Sequence, residues 1–189
     1  MGFALAAEAA RRGARTTLVA GPVALATPAG VDRVDVSTAL EMQAAIQAQA
    51  AEADLIVMAA AVADFRPAEP ASRKLKKSGG VPRIELVQNP DILAGLPAIA
   101  SQALLVGFAA ETEPSVEEAY AKLQRKGADL LVWNDVSRAD IGFGAEHNEV
   151  TVYRRAGEPT DLSRRPKSEL ATALMDLFEE ALRTREAAS

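Results

Sequence analysis

The segment Leu55–Ala61 is apolar at every position and leads into Asp64 and Arg66. A strand with one wet face alternates apolar and polar residues, whereas an unbroken run needs cover on both faces. Such a strand belongs in a parallel sheet with helices on either side, and ligands sit beyond the carboxyl ends of strands in such sheets. Ala59, Ala60 and Ala61 leave room for a ligand to approach the backbone. A proline-punctuated loop follows and is closed by Arg73, Lys74, Lys76 and Lys77. Asp64 suits a metal ion or a hydroxyl, and the lysines suit phosphate. A solvated charge run is the alternative for this loop, since lysine clusters commonly face water.

The order of the remaining segments points to the same class. Residues 2–14 read as a helix, with Phe3, Leu5 and Ala6 near its start, Arg11 and Arg12 in its last turn and Gly13 at its C-terminal cap. No strand and no capping residue precede it. Thr16–Ala20 and Val31–Val36 read as strands. Thr38 and Glu41 form a capping-box spacing that opens a helix to about Ala51, and Leu55–Ala59 is the next strand. Ile84–Val87 is a short strand. Asn89 and Pro90 suit an N-cap and a first helical position. The exposed amides there belong either to an ordinary capped helix or to a phosphate site. Leu104–Phe108 is a buried strand, and a helix over 114–126 stops at Gly127. Leu130–Asn134 is the next strand, and Glu149–Arg154 is a late one in an antiparallel hairpin. A helix from Lys167 to about Arg183 closes the chain, with Leu170, Leu174, Leu177 and Phe178 on one face. The expected fold is one α/β domain over 1–189, a Rossmann-like doubly wound three-layer sheet that is mostly parallel.

Composition narrows the function. A net charge of −5 argues against a general nucleic-acid binder, and locally clustered basic residues suit a small anion instead. Without cysteine, disulfides and thiolate metal sites are excluded. His147 stands in a polar stretch and reads as solvated. No apolar run approaches the length of a membrane span, and neither end reads as a secretory signal. A cytoplasmic protein is expected. Lys122 and Lys126 share one helix face. They either bracket an anion or, through Glu118, belong to an ordinary helix-surface pair. Neither a G-x-G-x-x-G after a strand nor a G-x-x-x-x-G-K-[ST] occurs, so phosphate binding must come from lysines and helix starts.

Taken in order, these motifs resemble the phosphopantothenate–cysteine ligases (phosphopantothenoylcysteine synthetases), in many bacteria the C-terminal half of a bifunctional coenzyme A biosynthesis protein. The resemblance rests on residues 59–65 (AAAVADF), 74–77 (KLKK), 89–93 (NPDIL) and 106–112 (VGFAAET). Lys122, Lys126, Asn134-Asp135-Val136 and the Gly142-Phe143…Asn148 segment complete it. Each motif is weak alone, but the collinear set is specific and covers nearly the whole chain.

The resemblance implies a CTP-dependent ligation. The carboxylate of 4′-phosphopantothenate attacks the α-phosphate of CTP, and the amine of L-cysteine then attacks the acyl-cytidylate. By position, Lys74 would be catalytic, stabilising developing charge, and would also contact the nucleotide. Met58, Ala59, Ala60, Pro90, Asp91, Ile92 and Leu93 would contact the nucleotide, Phe108 would pack beside it, and Lys122 and Lys126 would hold its phosphates. Asp64 would bind the nucleotide or its Mg2+. A homodimer is implied, with no flavin in this chain. A flavin-dependent decarboxylase domain belongs to the full-length proteins. The family's first strand, glycine-rich turn and Asn-x-Ser-Ser-Gly-Lys run, which includes a functional asparagine, have no counterpart in these 189 residues. The chain is therefore expected to be an incomplete domain, poorly active and unstable alone. Two other readings compete: a nucleotide-binding fragment without chemistry, and a Rossmann-type oxidoreductase. The second wants Tyr-x-x-x-Lys, but Gln124 follows Tyr120 and Gly157 follows Tyr153 at that spacing.

Overall fold

The computed structural model describes residues 1–188 other than 70, 72, 75–80, 82, 112–114 and 136–144. Its elements are α1 (Gly2–Arg11), β1 (Thr16–Ala20), β2 (Val31–Asp35), α2 (Ala39–Ala50), β3 (Leu55–Met58), β4 (Phe65–Pro67) and β5 (Leu86–Gln88). They continue with α3 (Ile92–Gly95) and a 3-10 turn (Leu96–Ala98), then β6 (Leu104–Glu111), α4 (Val116–Lys126) and β7 (Leu130–Asp135). The hairpin β8 (His147–Arg154) and β9 (Thr160–Pro166) precedes α5 (Lys167–Ala188).

The main sheet has the order β3-β6-β7-β8-β9. Its first three strands are parallel, and β8 and β9 run antiparallel. β1 and β2 form a separate parallel pair, and β4 and β5 a short antiparallel ribbon. Among the described residues β1 pairs with β2 and β3 with β6, and no ladder joins β1 to β3. This is the mostly parallel, doubly wound arrangement with a late hairpin expected from the sequence.

The centre of the sheet is covered on both faces, as its unalternating sequence requires. Leu104, Val106, Leu130 and Val132 meet Leu5 of α1 and Leu170, Leu174 and Phe178 of α5. On the other face Ala109, Leu131 and Trp133 meet Ala119 and Leu123 of α4, and Leu105 packs with Ala50 and Leu96. A Cβ on Gly107 would stand 2.7 Å from Leu93 Cδ2 and 3.3 Å from Leu131 Cδ1. Glycine there lets the α3 region lie directly on β6.

Local signals account for the helices. The Thr38–Glu41 capping box forms as expected at the start of α2. Ser115 caps α4 by accepting from the Glu118 N–H at 3.2 Å. Gly127, at φ +63°, ends α4 in the left-handed conformation that glycine adopts without steric cost. At the amino end of the sheet, Asp129 accepts from the Leu105 N–H at 2.9 Å and from Arg185 Nη1 at 3.1 Å, fastening the last turns of α5.

A charge network joins α1 to α5. The buried Glu8 carboxylate accepts from Arg11 Nε at 2.7 Å and Arg12 Nε at 2.8 Å, and Arg12 Nη1 donates to Glu179 at 2.7 Å. Arg12 also pairs with Asp176 at 2.8 Å. Hydrogen bonds from Arg11, then Arg12, hold the Glu8 carboxyl down at about 2, against the opposing effect of burial. A carboxyl whose folded value lies below its unfolded value stabilises the fold above the unfolded value, and that contribution is lost as pH falls through the folded one. The difference in melting temperature between the parent and Glu8→Gln is therefore expected to be widest above pH 4.5 and to close toward pH 2. Thermal melts across that window check this, and a pH-independent difference would contradict it.

Several sequence expectations are corrected. Asp91, not Asn89, caps the helix at 92, and Pro90 lies outside it. The Asn89 side chain is taken by tertiary partners: Nδ2 donates to the Ala63 carbonyl at 2.8 Å, and Oδ1 accepts from Arg66 at 3.2 Å. β5 lies at 86–88 rather than 84–87 because it pairs with β4 in the register Phe65↔Gln88. β4 itself falls where a loop was expected. His147 is half-buried at the start of β8 opposite Pro166, not in a solvated loop.

Candidate functional site at the strand mouths

The carboxyl ends of β3, β6 and β7 share one end of the sheet because those strands are parallel. Two ammonium groups are brought there by α4. Lys122 Nζ donates to the carboxylate of Glu111, the last residue of β6, and lies 5.8 Å from the centroid of the Trp133 ring on β7. One turn further on, Lys126 Nζ donates to Asp91 Oδ2 at 2.5 Å. The spacing of four puts both lysines on one face of α4, as the sequence indicated. Lys122 pairs with Glu111 across the fold, however, and not with Glu118 on its own helix.

Asp91 has two tasks. Its Oδ1 accepts from the Ala94 N–H at 3.2 Å, capping α3, while Oδ2 holds Lys126. Burial pushes its carboxyl up, but the Lys126 ammonium and the Ala94 N–H outweigh this and leave it below the usual carboxylate range. Ile92 is buried against Val36 and Met42, with Met58 beside them. Leu93 packs at Gly107. Met58, Asp91, Ile92 and Leu93 thus gather on the α4 side of the mouth of β3, and Pro90 is half-buried next to Asp91 in the chain.

Ala59 is half-buried, and a Cβ on Gly2 would lie 3.8 Å from Ala59 Cβ, so the start of α1 approaches this strand end. Ala60 is exposed. Asp64 is exposed too, and its carbonyl accepts from the Asn89 N–H at 2.7 Å, which ties the segment after β3 to the one before α3. Phe108 packs into the α1–α5 cluster, on the sheet face opposite Glu111 and Lys122. Lys74 is exposed between β4 and β5. Lys76 and Lys77 lie outside the described residues, as do Thr112, Val136, Gly142 and Phe143.

Glu111 and Trp133 belong to this arrangement and were not singled out from the sequence. The buried Trp133 Nε1 and Asn134 Oδ1 have no hydrogen-bond partner among the described residues. The available signal was position: both stand at or near the ends of strands whose mouths form the site.

A doubly wound α/β domain that gathers charged side chains at its parallel strand mouths belongs to the class of open sheets whose ligands sit beyond those strand ends. The chain belongs to the family described as the DNA/pantothenate metabolism flavoprotein C-terminal domain, which it matches over residues 1–182. It is 44% identical over 185 residues to the Vibrio cholerae coenzyme A biosynthesis bifunctional protein CoaBC, covering 96% of this chain and 46% of that one. The Escherichia coli K12 protein of the same name is 48% identical over 162 residues, covering 84% of this chain and 40% of that one. The chain therefore spans less than half the length of these relatives. Among solved structures, the C-terminal domain of coenzyme A biosynthesis bifunctional protein CoaBC superposes with a TM-score of 0.81 at 35% identity, covering 97% of this chain and 82% of that one. The resemblance drawn from the sequence holds at the level of the family.

Proposed function

We propose that this domain carries out the CTP-dependent ligation of 4′-phosphopantothenate with L-cysteine in coenzyme A biosynthesis. The observation that carries this reading is the pair of ammonium groups, Lys122 and Lys126, at the strand mouths of a chain whose relatives are coenzyme A biosynthesis proteins. The 4′-phosphopantothenate carboxylate attacks the α-phosphorus of CTP, forming the acyl-cytidylate and releasing pyrophosphate. The cysteine amine then attacks the acyl carbon, CMP leaves, and the amine loses a proton as the amide forms. An anion attacking a polyanion requires concentrated positive charge. Lys122 and Lys126 take the nucleotide phosphates, and Lys74 meets the charge that develops at the reacting phosphorus. Met58, Ala59, Ala60 and residues 90–93 form the nucleotide's wall.

Among the described residues no group of three or more acidic or histidine side chains is arranged to hold a metal. The lone exposed carboxylate of Asp64 fits Mg2+, which takes most of its ligands from phosphate and water. There it would supply charge neutralisation. The exposed apolar residues of the β4–β5 ribbon, Phe65 and Leu86, support a homodimer. The break between β1 and β3 supports a further strand lying between them with the phosphate-binding turn. The length of the relatives leaves room for a flavin-dependent decarboxylase half. No described helix is long and apolar enough to cross a membrane.

The test is pyrophosphate release by the protein carrying this chain, with each of CTP, 4′-phosphopantothenate and cysteine omitted in turn. Release is expected to need CTP and 4′-phosphopantothenate, and formation of the amide to need cysteine as well. Thermal shifts with CTP, ATP and NADH accompany it, since a ligand that binds only the folded state raises its stability. Stabilisation by NADH without pyrophosphate release would favour an oxidoreductase, and CTP binding without turnover a binding module.

A further inference from the structure

Neither lysine of the site presents a free charge. Lys122 is only 20% exposed, between the Glu111 carboxylate and the face of Trp133. The backbone of Glu111 is placed by the pairing of β6 with β7, whose register runs to Glu111↔Asp135. Among the described contacts its side chain bonds to Lys122 alone. A partly desolvated ammonium needs an anion, and before any ligand arrives the carboxylate of Glu111 supplies it.

We propose that Glu111 is a positioning residue: the resident counter-ion that holds Lys122 at the mouth of β6 and gives it up to the triphosphate. It thereby limits how tightly polyphosphate is held and hastens departure of the pyrophosphate product. The inference rests on the nucleotide reading above. When Lys122 turns to a phosphate, the Glu111 carboxylate is left beside like charge. It is about one-third exposed, so the repulsion is screened less than in bulk water. The carboxylate therefore costs the bound state affinity while it orders the free state. A purely structural brace has the opposite sign, since its removal loosens Lys122 and weakens binding. Asp91 stands in the same relation to Lys126, but it also caps α3, and a change there would mix the two effects.

The experiment is calorimetric binding of CTP, inorganic pyrophosphate and cytidine to the protein carrying this chain and to its Glu111→Gln variant. Glutamine keeps the length and an acceptor oxygen but removes the charge. CTP and pyrophosphate are expected to bind about fivefold tighter to the variant, equivalent to about 1 kcal/mol. Cytidine is expected to stay within about twofold, and the gain for the phosphates to shrink as salt is raised. Glu111→Asp, which keeps the charge, should not reproduce the gain. Unchanged or weaker phosphate binding by Glu111→Gln, an equal gain for cytidine, or the same gain in Glu111→Asp overturns the proposal. If Glu111→Gln does not melt cooperatively, carboxyl-carbon NMR of Glu111 in the unaltered protein decides. Its signal must move when inorganic pyrophosphate binds, and a static signal in the bound state overturns the proposal. If the unaltered protein binds neither CTP nor pyrophosphate, the nucleotide reading itself has failed, and this inference with it.

Discussion

Replacing Lys74 by Gln is expected to lower turnover by about a hundredfold or more, the scale seen when one preorganised group aimed at transition-state charge is removed. CTP binding should change by no more than about threefold, since an interaction made only in the transition state leaves ground-state affinity alone. The substitution keeps the reach of the side chain and a donor, so the lost quantity is the positive charge. The exposed position of Lys74 makes the outcome informative about catalysis, because a surface lysine contributes little to the fold. Its neighbour Arg73 is exposed too and supplies general positive potential, which Lys74→Gln leaves in place. Turnover under saturating CTP, 4′-phosphopantothenate and cysteine is measured beside calorimetric CTP binding. A turnover within about threefold of the parent would mean a barrier change well under 1 kcal/mol, and Lys74 would then be at most a phosphate clamp.

Much of the fold was legible because its signals are local. The capping box Thr38–Glu41, the Gly127 stop and the apolar face of α5 each depend on residues within a few positions of one another. Leu104–Phe108 is buried as β6, as expected, but the unbroken apolar run Leu55–Ala61 is only half-buried over β3 and exposed at Ala60 and Ala61, because β3 is the edge of its sheet among the described residues. What was missed depends on partners remote in sequence. Asn89 and Asp91 are both cap residues by type, and it is the Ala63 carbonyl and the Arg66 guanidinium, both remote in sequence, that hold the Asn89 side chain away from the helix. The strands of that ribbon are three residues long, one contains Pro67, and Phe65 and Leu86 are exposed, so neither hydrophobic period nor burial marks them.

The site was legible as a set of residue types at strand ends but not as a set of pairs. Met58, the 90–93 segment and the two lysines do converge, because parallel strands put their carboxyl ends together. Phe108 falls on the far face, as strand alternation dictates for a residue three before Glu111. Helix spacing offered Glu118 as the partner of Lys122. The structure gives it Glu111 instead, a pairing that no helical periodicity predicts, because the two residues meet only after β6 and α4 pack.

Removing both lysines, as Lys122→Met and Lys126→Met together, is expected to weaken CTP binding by about two orders of magnitude, since each charge-assisted phosphate contact is worth about 1.5–3 kcal/mol and part is offset by freeing Glu111 and Asp91. Cytidine should be held within about threefold of the parent, because an ammonium makes such a contact only to phosphate. Methionine keeps the unbranched stem that packs along α4, so the comparison isolates charge from bulk. The fold should survive. The ion pairs being lost are partly exposed, at 20% and 24% for the lysines, and pairs of that kind contribute on the order of 1 kcal/mol or less. Asp91 still caps α3 through the Ala94 N–H without its lysine. Binding of CTP, CMP and cytidine to parent and variant is compared at two salt concentrations. The loss should grade with the number of phosphates and be smaller at the higher salt, where screening has already weakened the parent. Equal losses for CTP and cytidine would show instead that the lysines brace α4 against β6 and that the phosphates lie elsewhere.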